Sequence, residues 1–302
     1  MHSCLLPTPL RPGDLLHVIC PSGALRETEL TRFWQGVEVW RSRSYRVEVP
    51  PALERRWGYL AGTDAERRSQ LEVAWNHPEV RGILCARGGY GGARLLELQP
   101  SLGPTPKWLI GFSDITSLLW GLSLQGISGV HAAVLTTLAA EPEWSQQRLF
   151  DWVEGRSLPP LQGKGWGTGV AKGVLLPANL TVATHLLFTP AQPPLQDTIL
   201  ALEDVSEEPY RIDRMLTQWR TSGALQQVKG IALGRFSQCD PKLPNSFTVE
   251  EVLRDRLSDL QIPIVSHLPF GHDGPNAALP VGIPVTLDAN QGQLSFHPAV
   301  LA

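Results

Sequence analysis

Short apolar runs alternate with helix-patterned segments through the first half of the chain, and this alternation restricts the fold more than any other feature. "LLHVICPSG" (15–23) reads as a buried strand ending in a turn, "ELTRFWQGVEVWRSR" (29–43) as a helix and "YRVEVP" (45–50) as a second strand. "GTDAERRSQLEVAWNHP" (62–78) is a helix that Thr63 or Asp64 can cap, with Glu66 in its first turn and Pro78 beyond its end. "VRGILCARGG" (80–89) and "KWLIGFSD" (107–114) follow as strands. Strand and helix in turn imply an α/β fold: a mostly parallel sheet with helices on its faces.

A length of 302 residues lies where single hydrophobic cores divide, so two domains are expected. The texture changes where "GRSLPPLQGKGWGTGVAKG" lacks periodicity and is dense in Gly and Pro. This stretch predicts a linker over 151–173, between an N-terminal α/β domain (1–150) and a β-rich α/β C-terminal domain (174–302). In the latter, "TILALEDV", "VKGIALGRF" and "IPIVSHLPFG" read as strands, and "YRIDRMLTQWRTSG" and "TVEEVLRDRLSDL" as helices. "PVTLDANQGQLSF" reads as a hairpin turning at Asn290–Gly292.

With 42% hydrophobic and 18% charged residues, the composition excludes disordered and coiled-coil chains. The net charge of −3, without a basic stripe, argues against a nucleic-acid or membrane surface. Pro7, Pro9, Arg11 and Pro12 interrupt the apolar N-terminus, so neither a signal peptide nor a membrane span is read there. Cys4, Cys20, Cys85 and Cys239 are far apart and form no CxxC pair, which fits a reducing cytosol and no zinc site.

Chemistry concentrates in two loops. "RGGYGGARLL" (87–96) sets four glycines around Tyr90, a composition that lets something approach the backbone closely. A dinucleotide fingerprint needs a third glycine where Arg94 stands, and there is no Walker loop. "KWLIGFSDITSLLWGL" places Ser113 between an apolar strand and a helix whose Ile115, Leu118, Leu119 and Leu122 share a face. That is the setting of a nucleophile elbow, with the Asp114 N–H at the helix start; read alone, the stretch favours Ser113 as an N-cap.

An elbow serine needs a base and a carboxylate to orient it. His272, in "PFGHDGPNAALPVG", has the most open context; His267, His131 and His185 look structural, and His297 lacks supporting context. Glu203 ends the strand "TILALEDV", with Asp204 as its competitor.

These residues resemble the LD-carboxypeptidases, a serine peptidase family that includes muramoyltetrapeptide carboxypeptidases and microcin C self-immunity proteins. The resemblance rests on six ordered blocks: "CPSG" (20–23), "GYLAGTDAERRSQL" (58–71), "RGGYGGARLL" (87–96), "LIGFSDITSL" (109–118), "LEDVSEEPYRIDRML" (202–216) and "GHDGPNAALPVG" (271–282). It implies Ser113 as nucleophile, Glu203 as acid and His272 as base. The oxyanion donors are then the N–H groups of Asp114 and Gly89. It implies release of D-alanine from a murein peptide in the cytoplasm, by a homodimer, without metal or cofactor.

Arg87 and Arg94 are the candidates for the substrate carboxylate, and Tyr90 for the pocket wall. The sequence departs from the family at Pro177–Ala178, where Gly-Gly is usual, and at Ala132–Ala133 after His131. A peptidyl-nucleotide amidase is the rival within the family, with Trp166 as the candidate to stack on adenine. A metallopeptidase built on His267, His272 and Asp273, a G-x-S-x-G esterase and a noncatalytic peptide binder are the more distant alternatives.

Overall fold

The computed structural model describes residues 3–51 and 53–297. Its first half runs β1 (Leu15–Ile19), α1 (Glu27–Arg41), β2 (Arg46–Glu48), α2 (Asp64–Asn76), β3 (Val80–Cys85), α3 (Gly92–Glu97) and β4 (Trp108–Gly111). One 3-10 turn, Ser113–Ile115, leads into α4 (Thr116–Leu124), then β5 (Val130–His131), α5 (Leu135–Leu138) and α6 (Glu143–Val153). Thr63, rather than Asp64, caps α2: its hydroxyl accepts from Glu66 N–H while the Glu66 carboxylate accepts from Thr63 N–H, a reciprocal box.

The second half runs β6 (Leu161–Gln162), β7 (Lys164–Trp166), β8 (Val170–Asn179), α7 (Leu180–Leu186), β9 (Thr198–Val205) and α8 (Pro209–Thr221). It continues through β10 (Gly230–Ser237), α9 (Val249–Leu257), β11 (Ile264–Ser266), β12 (Leu279–Pro280), β13 (Pro284–Asp288) and β14 (Gln293–Phe296). The expected hairpin is β13–β14, paired antiparallel from Val285↔Phe296 to Asp288↔Gln293. The strand expected over 262–271 stops at Ser266, because His267 turns to a positive φ of 58°.

Two sheets result. The first has the order β12-β5-β4-β3-β1-β2, parallel except for β12; the second has the order β6-β14-β13-β8-β9-β10-β11-β7, with β8, β9, β10 and β11 parallel. The helices cover strands that are buried almost throughout: β4 at every residue and β9 at all but its last. Strands covered on both faces lose the alternation of a half-exposed sheet, which is why they read as unbroken apolar runs.

The stretch expected as a linker is partly sheet. Leu161–Gln162 pairs with β14, Lys164–Trp166 pairs with β11, and β8 begins at Val170. Its glycines mark close strand packing rather than flexibility: a Cβ on Gly163 would lie 2.3 Å from Ser266 O, and one on Gly165 only 1.8 Å from Ala289 O. β12, well past residue 174, pairs with β5 and so closes the edge of the first sheet. Backbone crossing between the halves in this way is a tertiary arrangement that no local pattern announces.

Candidate active site

The carboxyl ends of parallel strands collect the candidate residues, as is usual for ligand sites in open α/β sheets. β4 stops at Gly111, Phe112 is extended, and Ser113 opens the 3-10 turn at φ +64°. A non-glycine residue in the left-handed region costs about 1–2 kcal/mol, so the surroundings must hold it there. They do so through Asp114, whose buried carboxylate accepts from Gly92 N–H at 2.7 Å and from the Ser22 hydroxyl. Burial pushes the Asp114 carboxyl upward, against these hydrogen bonds.

The glycine loop follows β3 and is shaped around the same turn. A Cβ on Gly88 would sit 3.0 Å from Ser113 Cβ and 3.1 Å from its Oγ. One on Gly92 would meet Ser117 Oγ at 2.5 Å. Gly88 therefore abuts the serine; Gly89, the expected oxyanion donor, lies next in the chain at φ +112° and against Gly23. Arg67, fully buried on α2, donates to the carbonyls of Pro21 and Gly91 and binds "CPSG" to the glycine loop.

Glu203 ends β9 and is completely buried; its Oε2 stands 2.7 Å from His272 Nδ1. Nε2 is then the ring nitrogen left for other partners. The His272 ring centroid lies 4.6 Å from that of Phe112, the residue before Ser113. Among the described residues no hydrogen bond joins Ser113 to His272, and catalytic contacts of this kind commonly tighten only when substrate binds. Burial works against the charged imidazole, but the Glu203 hydrogen bond and charge, with Asp204 and Asp273, carry the His272 pKa above its ordinary value.

The loop bearing His272 is clamped from several sides. Arg235 donates to the carbonyls of His272 and Gly271, each at 3.0 Å, and to that of Pro275. Asn276 Oδ1 accepts from Gly271 N–H at 3.0 Å, and Asn276 N–H donates to Glu141 Oε2 at 2.7 Å. Glu141 lies just before α6, so this clamp reaches back to the first half of the chain. Sequence reasoning missed Arg235, Glu141, Arg67 and Ser22; the last two lie inside family-like blocks, whereas a lone arginine in "GRF" carries no local signal.

The other candidates find ordinary partners. Asp204, the competitor of Glu203, accepts from Thr181 N–H and Oγ1–H, Val205 N–H and Asn179 Nδ2 and does not touch His272. Burial, then the Glu203 charge, pushes its carboxyl up to about 6. His185 contacts Thr181 O, His267 contacts Ser266 Oγ, and His297 contacts Thr286 Oγ1. His131 is wholly buried with neither ring nitrogen partnered, and burial lowers its pKa to about 4.

Arg94 is held on Asp64, with Nε 3.0 and 2.9 Å from the two carboxylate oxygens. Arg87 donates Nη1 to Ala24 O at 2.7 Å beside Glu29, while its Nη2 lies 3.8 Å from where a Cβ on Gly89 would be. Tyr90 is exposed, its ring tilted against Tyr59. Trp166 donates Nε1–H to Ser266 Oγ at 2.8 Å, and the Arg254 guanidinium lies 4.5 Å from its ring centre. Its face is therefore covered. Among the described residues no group of three or more His, Cys, Asp or Glu could hold a metal ion, and no helix is long and apolar enough to cross a membrane.

Two α/β sheets thus carry Ser113 just after β4, Glu203 near the end of β9 and His272 in the loop after β11. The chain belongs to the LD-carboxypeptidase family: the model of the family's N-terminal domain matches residues 16–132, and that of its C-terminal domain matches residues 172–287. A Synechocystis sp. (strain PCC 6803) protein named provisionally as a carboxypeptidase is 55% identical over 97% of both chains. The murein tetrapeptide carboxypeptidase of Pseudomonas aeruginosa is 32% identical, covering 79% of this chain and 82% of that one. The crystal structure of muramoyltetrapeptide carboxypeptidase from Oxalobacter formigenes superposes with a TM-score of 0.82 at 28% identity, over 95% of this chain and all of that one. Wild-type microcin C7 self-immunity protein MccF superposes with a TM-score of 0.88 at 21% identity, over 99% of this chain and all of that one, a likeness of fold.

Proposed function

We propose that this protein is a serine LD-carboxypeptidase that releases the terminal D-alanine of murein tetrapeptides in the cytoplasm, during peptidoglycan recycling. The observation that carries the reading is the 2.7 Å His272–Glu203 pair beside a serine held at positive φ. Relatives named for murein peptides support the substrate class.

In this mechanism Ser113 Oγ attacks the carbonyl that joins the L-centre of the diamino acid to D-alanine. His272 Nε2 takes the hydroxyl proton while Glu203, bound to Nδ1, fixes the tautomer and steadies the imidazolium. The tetrahedral oxyanion is met by the N–H groups of Asp114 and Gly89, the latter one residue beyond the glycine that abuts Ser113; one such donor contributes about 2.7–4 kcal/mol to the transition state. His272 then protonates the departing amine, and water, activated by the same histidine, resolves the acyl-enzyme. Arg87 is the better candidate for the D-alanine carboxylate: Glu29 and Ala24 O engage only its Nη1 and leave Nη2 toward Gly89, whereas Asp64 grips Arg94 through both Nε and Nη2. The peptidyl-nucleotide alternative has less support, since Arg254 already lies over one face of its stacking candidate Trp166.

The test is release of D-alanine from L-Ala-γ-D-Glu-meso-diaminopimelate-D-Ala, beside the same peptide ending in L-Ala and a Ser113→Ala control. Release from the D-terminated peptide alone, lost in the variant, is expected. No release from either peptide sinks the reading and makes a peptidyl-nucleotide the next substrate to try.

A further inference from the structure

β8 and β9 run parallel and end side by side, with Asn179 in register with Glu203. Asn179 is buried and uses both ends of its side chain. Its Oδ1 caps α7 by accepting from Val182 N–H at 3.1 Å. Its Nδ2 faces two carboxylates at once, donating to Glu203 Oε1 at 3.2 Å and to Asp204 Oδ1 at 3.0 Å. The amide cannot be turned round: reversal would aim its carbonyl at both carboxylates and its NH2 at the Val182 N–H.

The backbone of the same residue reaches the other side of the site. Asn179 N–H donates to Thr116 Oγ1 at 3.0 Å, and Thr116 opens α4 directly after the Ser113 turn. One residue thus joins the nucleophile helix to the Glu203 oxygen that His272 leaves free. Asp204, anchored by Thr181 and Val205, holds the Asn179 amide in place from behind.

We propose that Asn179 is a positioning residue for catalysis, setting the Glu203 carboxylate and the Ser113 turn in one frame. This rests on the serine-hydrolase reading of the site. Without the amide, Glu203 keeps only one of its two side-chain hydrogen bonds, and among the described residues no other hydrogen bond restrains rotation of that carboxylate about its terminal bond. The groups whose charge reaches His272 are Glu203, Asp204, Asp273 and His131, with Arg235 acting in turn on Glu203 and Asp273.

The test uses Asn179→Ser and Asn179→Asp in the full chain. Both keep an oxygen for the α7 cap, and both lack the amide donor. For folded variants, kcat for D-alanine release is expected to fall at least tenfold with KM within twofold. In Asn179→Ser the acid limb of kcat/KM is expected to rise, since a carboxylate that no longer shares its charge with the amide holds the imidazolium more tightly. The rate at which a fluorophosphonate labels Ser113 should fall in parallel, a readout that needs no particular peptide. Wild-type protein that labels but releases no D-alanine would overturn the substrate reading alone, leaving the labelling rates to test Asn179. A folded Asn179→Ser protein with kcat and labelling within threefold of wild type would overturn the proposal. So would a fall in rate with the acid limb unmoved.

Discussion

Glu203 and His272 lie 69 positions apart in the chain, yet their Oε2 and Nδ1 atoms are 2.7 Å apart, with the carboxylate fully buried and the imidazole at the rim. The carboxylate comes from near a strand end and the imidazole from a loop that β10 and the segment before α6 clamp, so the pairing is a property of the assembled fold.

The pair fixes the pH dependence. His272 is raised above 6.5, and a general base works only when neutral, so kcat/KM should climb with pH through a value above 6.5. Glu203→Gln removes the charge that raises it and should move this limb downward while lowering kcat by about 10²–10⁴-fold. A group raised on folding contributes stability that is complete below its unfolded value and is lost as pH rises through the folded one. The thermal midpoint of wild-type protein should therefore fall more between pH 6 and 8.5 than that of Glu203→Gln.

Gly88 tests the fit of the loop against Ser113, the proposed nucleophile. Gly88→Ala sets a methyl 3.0 Å from Ser113 Cβ, and the serine, already in a left-handed conformation, has little room to yield. A loss of at least about 10²-fold in kcat is expected, the scale of one displaced oxyanion donor. Steady-state assays beside a melting curve would separate this from unfolding.

The two loop arginines should part company. Arg87→Ala is expected to lower kcat/KM for tetrapeptide at least about tenfold, the scale of one charge-assisted hydrogen bond, and to narrow discrimination against a C-terminal amide. Arg94→Ala breaks the pair with Asp64 and should show itself in the melting temperature instead. The opposite assignment in a side-by-side KM and melting comparison would give the carboxylate to Arg94.

Gly165 distinguishes sheet from linker. A flexible connector tolerates alanine; a strand whose Cβ position is 1.8 Å from Ala289 O does not. Gly165→Ala should destabilise by about 1–3 kcal/mol, visible as a melting temperature lowered by roughly 2–4 °C per kcal/mol.

Much of the site was legible because its determinants are local. The apolar run, sharp turn and helical face around Ser113 lie within one sixteen-residue stretch, and the Gly density of 88–92 reflects contacts that any larger side chain would break. The alternation of elements was legible too, since burial on both faces writes unbroken apolar runs into the strands. What the sequence could not settle were choices among equivalent chemistries. Glu203 and Asp204 are adjacent carboxylates, and alternation along β9 sends one to His272 and the other to Thr181. Arg87 and Arg94 flank the same loop, and only the positions of Glu29 on α1 and Asp64 on α2 decide how each is engaged. The same holds for Asn179, whose two carboxylate contacts arise from the register of β8 on β9. Composition misled once, at 161–173, because Gly and Pro describe a backbone that must come close to its neighbours as well as one that is free. Local pattern determined the elements and the Ser113 turn; long-range register decided the partners, because hydrogen-bond geometry between distant segments exists only once the sheets are assembled.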